Sequence, residues 1–163
     1  MLHIFRTLSQ MSFRKLMMVY EEGNLENAAL RYSSMDKNAA ILQAEQDFYA
    51  YLRDCFFTSQ GAFYAVWVEK GNYVSALRME PFFDGFLMEA LETDPSHRRK
   101  GYASMLIRSV LKEMDAPVYS HVKKDNLASL RVHFSCGFDL VSDSAQLIDG
   151  TISDCYCTLR WGR

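Results

Sequence analysis

Phe86-Leu-Met-Glu-Ala-Leu-Glu-Thr93, Asp94-Pro-Ser-His97, Arg98-Arg-Lys-Gly-Tyr-Ala103 and an apolar-periodic run to Met114 form one continuous stretch. It reads as a strand, a short turn, a basic glycine-containing loop and a helix. The helix follows from spacing. Ala103, Leu106, Ile107, Val110, Leu111 and Met114 recur at i, i+3, i+4, i+7, i+8 and i+11, one buried stripe, while Arg108, Ser109, Lys112 and Glu113 take the other face. A loop that feeds a helix start aims free backbone N–H groups and the positive end of the helix dipole at one point. Such a point suits an anion, and a phosphate above all. Gly101 removes a Cβ where a ligand would approach, and Arg98, Arg99 and Lys100 add charge beside it. A solvated basic turn capping a surface helix fits the same spacing.

Arg98-x-x-Gly101-x-Ala103 resembles the arginine/glutamine-x-x-glycine-x-glycine/alanine signature of the GNAT superfamily of acyl-CoA-dependent N-acetyltransferases. Leu91-Glu92-Thr93-Asp94-Pro95 is similar to the end of that family's fourth strand. A second pattern, Asn126-x-x-Ser129-x-x-x-His133-Phe134-x-x-Gly137-Phe138, resembles the family's later motif. The two occur in the family's order and separation and span residues 86–138. Residues 1–60 carry no motif of their own.

Composition sets the outer bounds. A chain of 163 residues is expected to form a single N-acetyltransferase domain, 1–163, with room for a proper core. Hydrophobic residues make up 49%, which excludes a disordered tail. A net charge of −2 gives no reason to expect nucleic acid as a partner, and the basic run at Arg98-Arg99-Lys100 is isolated. The opening Met1-Leu-His-Ile-Phe-Arg6 is too short and too polar for a signal peptide. No window approaches the roughly 18 apolar residues of a membrane span. Cys55, Cys136, Cys155 and Cys157 form no Cys-x-x-Cys pair, and no histidine lies at metal-ligand spacing from them. A cytoplasmic protein with reduced cysteines, no metal and no membrane contact, monomer or homodimer, is the expectation.

Along the chain, 3–7 reads as a first strand. Ser12 caps a helix through Phe13, Leu16, Met17 and Tyr20 that Gly23 stops, and Asn24 caps a short piece to about Tyr32. Ser33 with Asp36 reads as a capping box for a longer helix with Ile41, Ala44, Phe48, Leu52 and Cys55/Phe56 inward. Strands at 62–69 and 73–79 flank the hairpin turn Lys70-Gly71-Asn72, and a turn from Glu80-Pro81 to Asp84-Gly85 leads into 86–93. The helix then returns the chain to 118–122. A strand–helix–strand crossover is parallel and right-handed, so 86–93 and 118–122 are expected as parallel neighbours. Asn126 starts another helix with Leu127, Leu130 and Phe134 inward and Gly137 as its stop. Strands 138–142 and 155–161 follow; alternation puts Cys155, Cys157, Leu159 and Trp161 on one face as packing residues. The fold class is α/β (α+β): a mixed, mainly antiparallel sheet of about seven strands, GNAT-like, with helices on both faces and that one parallel pair.

The resemblance implies a reaction: acetyl transfer from acetyl-CoA, as co-substrate, to a primary amine of a small molecule or peptide by direct attack in a ternary complex. The pyrophosphate would rest on the N–H groups of Arg99, Lys100, Gly101, Tyr102, Ala103 and Ser104, with Arg98 adding charge. The pantetheine arm would pair with the backbone of Leu91 and Thr93, and Asn126 and Ser129 would contact its other side. An N–H near Leu91 would hold the oxyanion. In this family the first two helices wall the acceptor cleft, so Tyr20, Glu21, Glu22, Tyr49 and Tyr51 can meet a cationic amine, though an ordinary place on the surface and core edge accounts better for most of them. Where the family usually carries an acidic tyrosine, this chain has His133. An imidazole, near 6.5, can still protonate a thiolate whose thiol lies near 8.5. A packed, hydrogen-bonded histidine without a chemical role fits the position equally. As bases, His121 on the fifth strand and Glu89 on the fourth compete, with Glu92 a third candidate. Glu89 and Glu92, three apart, are expected on opposite faces, with Glu89 sharing the face of Leu91 and Thr93. A catalytically silent acyl-CoA-binding regulatory protein is the alternative.

Overall fold

The computed structural model describes residues 1–147 and 150–162. In chain order it holds β1 (Leu2–Phe5), α1 (Phe13–Val19), α2 (Glu21–Arg31), α3 (Lys37–Asp54), β2 (Phe63–Glu69), β3 (Asn72–Phe82), β4 (Gly85–Thr93) and α4 (Tyr102–Leu111). β5 (Val118–Lys123), α5 (Leu127–Ser135), β6 (Asp139–Ser142), β7 (Ala145–Gln146), β8 (Ile152–Ser153) and β9 (Tyr156–Trp161) complete it. Seven strands form one sheet in the order β1-β2-β3-β4-β5-β9-β6, and β7 and β8 make a small separate pair.

All pairings in the large sheet are antiparallel except β4 with β5. That parallel contact is short: Phe86↔Val118, Leu87↔Tyr119 and Met88↔Ser120. Beyond it β5 keeps pairing with β9 out to Lys123, while residues 89–93 of β4 leave their β5 side open. The parallel pair is as the sequence predicts. The start of the pair depends on Gly85, where any Cβ would run into the Pro117 carbonyl that accepts from the Phe86 N–H at 3.0 Å.

The sheet separates two cores. α4 lays the Leu106, Ile107, Val110 and Leu111 stripe against Ala65, Leu77, Met79, Met88 and Val118 on one face. α1 and α3 cover the other face, where Leu16, Val19, Leu52 and Phe56 meet Tyr64, Val66 and Ala76. The sheet thus has helices on both faces.

Several local expectations differ. Gly23 does not stop a helix: α1 ends at Tyr20, and α2 runs through Gly23 and Asn24 to Arg31. Asn24 is buried inside α2, its amide donating to the Met17 sulfur at 3.2 Å. Packing against α1 outweighs the modest helix penalty of one glycine. Asp36 alone caps α3, accepting from the N–H groups of Asn38 and Ala39. β3 runs on through Pro81 to Phe82, so the second turn is shorter than expected. In α5, Leu127 and Phe134 are exposed and His133 is the buried residue. Cys155 precedes β9 and is exposed, whereas Cys157 packs inside as alternation required.

The largest correction concerns β4. Ala76 pairs with Glu92 and Arg78 with Glu89, so Ala90 and Leu91 together face the single Leu77. This is a β-bulge, with Ala90 in the left-handed region at φ 50. An extra residue inverts the alternation beyond it. Glu89 and Glu92 therefore lie on one face, with Arg78 and Ala76, and not on opposite faces. Leu91 packs into the α4-side core, so Glu89 does not share its face or that of Thr93.

Candidate active site

Two concavities meet at this bulge. The first is a groove of about 590 Å³ between β4, the α4 start and the α5 start. Of the residues the motifs singled out, Leu91, Thr93, Arg98, Arg99, Gly101 and Tyr102 line it. Ala103, Ser104, Asn126 and Ser129 line it as well. Lys100 does not; its Nζ turns back onto the Ser96 carbonyl at 3.0 Å.

The groove's chemistry follows from how α4 begins. Its N-cap is Gly101, at φ 82, which offers no side chain to the first-turn N–H groups, and no acidic residue occupies that turn. Those donors are left for a ligand. Arg99 also takes a left-handed conformation, φ 61, at a cost of about 1 kcal/mol. Both residues bend the loop around the helix start. Asn126 caps α5, its Oδ1 accepting from the Ser129 N–H at 3.0 Å, which fixes the opposite wall. Open helix donors, flanking arginines and the free β4 edge are a donor set that fits a pyrophosphate joined to an amide-bearing arm.

The second concavity, about 390 Å³, lies between α2, α3 and β4. Gly23, Asn27 and Arg31 line it at one-turn intervals along α2, giving it a length of about 12 Å. Tyr20, Phe48 and Tyr51 supply aromatic wall, and Arg78, Ala90 and Glu92 its floor. The Tyr20 hydroxyl donates to the Ala90 carbonyl at 2.6 Å, which pins the bulge to α1 and α2. Glu92 and its neighbours open onto both concavities. A Cβ on Gly23 would stand 2.7 Å from Glu92 Oε1, so the glycine is what admits that carboxylate. Burial pushes Glu92 upward, Glu22 and Glu26 add to the rise, and Arg98 opposes it. Arg98 spans the mouth, pairing with Glu22 at 2.6 Å and donating to the Thr93 carbonyl at 3.1 Å.

The three candidates for proton transfer fall in three places. Glu89 pairs with Arg78 at 3.1 Å, both partly buried. Arg78 also lies 5.1 Å over the Tyr51 ring. Burial works against its charge, but Tyr64, Glu89 and Tyr51 hold the guanidinium firmly protonated. His121 shares the Glu89 face of the sheet and stacks edge-on against Phe82 at 5.5 Å, in a separate depression with Tyr119 and Thr158. Burial lowers its pKa and Glu89 opposes the fall. His133 lies on the other face, 2% exposed. Its Nε2 is 3.0 Å from Ser120 Oγ and its Nδ1 is 2.8 Å from the Ser129 carbonyl. A carbonyl can only accept, so Nδ1 carries the proton and Nε2 accepts from Ser120. Burial lowers this imidazole too, against the Ser129 bond.

The GNAT acetyltransferase family model matches residues 27–138, covering both motifs, the bulge and the groove. The chain belongs to the GNAT acetyltransferase family. No curated protein matches it at the sequence level. Among solved structures it is similar to PaiA N-acetyltransferase from Thermoplasma acidophilum in complex with coenzyme A, at TM-score 0.62 and 11% identity over 98% of each chain. It is also similar to aminoglycoside 6'-acetyltransferase type Ii, at TM-score 0.64 and 11% identity over 99% of this chain and 96% of that one. A third likeness is to the ribosomal-protein-S18-alanine N-acetyltransferase from Escherichia coli, at TM-score 0.56 and 15% identity over 98% and 92%. At these identities the likeness is one of fold.

Sequence reasoning missed most of the second concavity. Arg78 was findable: a charge in the apolar run Tyr73-Val-Ser-Ala-Leu-Arg-Met79 is the same signal that marked Glu89. Gly23, Asn27 and Arg31 carry no such signal, because their spacing matters only once α2 is known to be one continuous helix. Of the wall residues expected to meet an amine, Tyr20 and Tyr51 line the concavity, Glu22 is engaged by Arg98, and Tyr49 packs edge-on against Phe13. Among the described residues no three His, Cys, Asp or Glu side chains are grouped to hold a metal, and no helix is long and apolar enough to cross a membrane.

Proposed function

We propose that the chain transfers an acetyl group from acetyl-CoA to a primary amine by direct attack in a ternary complex. One observation carries this reading: the basic groove and the aromatic, carboxylate-bearing concavity open onto each other at the Ala90–Leu91 bulge. The groove takes the cofactor, with phosphates on the N–H groups at the α4 start and the arm along Leu91 and Thr93. The concavity takes the amine. An extra bulge residue is unpaired in the ladder, so the Leu91 N–H is the group positioned to stabilise the oxyanion. Glu92, raised by burial and standing at the junction, receives the proton that the amine must lose before attack. Glu89, paired with Arg78, and the neutral His121 stand further along the same face. The unit acts as one domain, in the cytoplasm, as a monomer or homodimer.

One observation favours a second reading, an acyl-CoA-binding protein without turnover. The position that usually carries the acidic tyrosine is a buried histidine with both ring nitrogens engaged. If the chain is a transferase, the leaving thiolate takes its proton from water or from the acceptor, and His133 anchors α5 to β5. Release of free thiol from acetyl-CoA, measured with and without a panel of polyamines, amino acids and peptides, separates the two. Amine-dependent release supports transfer. Tight acetyl-CoA binding without release across the panel supports the silent protein.

A further inference from the structure

Arg78 and Glu80 project from the same face of β3, and Glu89 faces Arg78 directly across the ladder. Two carboxyl groups therefore lie on the face of the sheet that carries one guanidinium. Glu89 holds it, through Arg78 Nε at 3.2 Å and Nη2 at 3.1 Å. Glu80 does not: its Oε1 is buried and has no hydrogen-bond partner among the described residues. An ionised carboxylate with an orphaned buried oxygen beside a second carboxylate is costly. A protonated one is not, because its O–H becomes a donor and the Glu89 carboxylate can accept it. The pKa of Glu80 is consistent: burial and the neighbouring Glu89 carboxyl push it up to about 7, with Arg78 opposing.

Among the described residues, no other group facing the cluster supplies a second positive charge at neutral pH. From β2 comes Tyr64, raised to about 12 by burial, and from α3 comes Tyr51, also raised by burial. From β5 comes His121, lowered by burial and so uncharged at neutral pH.

We propose that Glu80 is a positioning residue acting through Glu89: the two carboxyl groups hold one proton between them, and that proton decides whether the Arg78 side of the acceptor cavity is neutral or negative. With the proton on, Arg78, Glu89 and Glu80 sum to zero. With it off, they sum to one negative charge beneath the cavity that Arg78 lines. The charge of the floor then depends on pH in the neutral range, and a cationic acceptor meets a more attractive floor above that range. This consequence rests on the acceptor reading of the cavity; the shared proton does not.

The test is a carboxyl ¹³C NMR titration of the cofactor-free protein labelled at glutamate, comparing wild type, Glu80→Gln and Glu92→Gln. The expected result is a carboxyl step near pH 7 that persists in Glu92→Gln and disappears in Glu80→Gln. No such step, or a step that survives in Glu80→Gln, overturns the proposal. Thermal melts give a second readout. The folded pKa of Glu80 lies above its unfolded value, so its contribution is full at acidic pH and is lost as pH rises through about 7. Wild type should therefore lose melting temperature relative to Glu80→Gln between pH 5 and pH 8; a constant offset contradicts the shared proton. Where an acceptor is in hand, kcat/KM for it should rise several-fold through the same step in wild type and stay flat there in Glu80→Gln. Absence of any amine-dependent thiol release would defeat the acetyltransferase reading and leave the shared proton, as read by NMR, unaffected.

Discussion

The cofactor groove and the acceptor concavity share an edge but are built by different rules. The groove is local: a strand end, one loop and one helix start, within residues 91–104, supply most of it, and only the cap and first turns of α5 come from elsewhere. The concavity is assembled from the α1–α2 junction at Tyr20, α2, α3, β3 and β4, spanning residues 20–92, and none of these contributes more than a few side chains. The groove presents backbone donors and arginines; the concavity presents aromatic rings and carboxylates with two arginines, the exposed Arg31 and the partly buried, paired Arg78. On the proposed reading a nucleotide-like anion and an amine each find their side, and they would meet at the Ala90–Leu91 bulge. A locally encoded half-site should fail by loss of binding from a single change, whereas a distributed one should fail by small displacements.

The strongest way to break the comparison is Gly101→Asp. Nothing lies within 4 Å of a Cβ there, so the fold should survive apart from the left-handed backbone cost. The new carboxylate would occupy the donors at the α4 start and repel a phosphate. Charge-assisted hydrogen bonds of about 1.5–3 kcal/mol are at stake, so acetyl-CoA affinity by calorimetry should fall on the order of 10²-fold. Unchanged affinity would take the phosphates away from this loop.

Next in size is His133→Phe, which asks whether the cofactor side depends on that imidazole chemically or structurally. As an anchor between Ser129 and Ser120, its loss should cost about 1–2 kcal/mol of stability, while acetyl-CoA binding and turnover change less than about tenfold, below the usual worth of a general acid. The pH dependence carries a sign. The folded pKa is lowered below the unfolded value near 6.5, so the native state binds this proton less readily than the unfolded chain. That contribution is full above about 6.5 and is lost as pH falls. The melting-temperature gap between wild type and His133→Phe should therefore be smaller at pH 5 than at pH 8. A turnover loss of 10²-fold or more with stability intact would make His133 the acid after all.

The smallest expected effect sharpens the acceptor side. Gly23→Ala should stabilise α2 by about 0.5–1 kcal/mol, yet the new methyl must push Glu92 Oε1 from its place. Melting temperature should rise slightly while kcat/KM for the amine falls by about tenfold, with acetyl-CoA affinity unmoved. A variant that is both more stable and fully active would remove Glu92 from the chemistry.

How much of this was legible in the sequence follows the same division. The Arg98–Ala103 loop, the α4 stripe, the parallel pair and Asn126 as a cap could all be read, because each is set by neighbours in the chain. The bulge could not: one extra residue opposite Leu77 leaves no mark in the alternation of Phe86–Thr93, and it reverses which face Glu89 occupies. His133 was visible as a departure from the family's pattern, but its burial depends on α5 turning Leu127 and Phe134 outward. Gly23 looked like a helix stop because propensity is local and the α1–α2 packing that overrides it is not. Glu80 lay in what read as a turn, and only the extension of β3 through Pro81 brings it beside Glu89.

The most direct test of the central claim is an initial-rate matrix of thiol release, varying acetyl-CoA against an amine that supports turnover. If the two half-sites fill together and the amine attacks across the bulge, double-reciprocal lines intersect and no thiol is released from acetyl-CoA alone beyond its slow hydrolysis. Parallel lines with a stoichiometric burst of thiol in the absence of amine would mean an acetylated protein intermediate, and would contradict direct transfer at the Ala90–Leu91 junction.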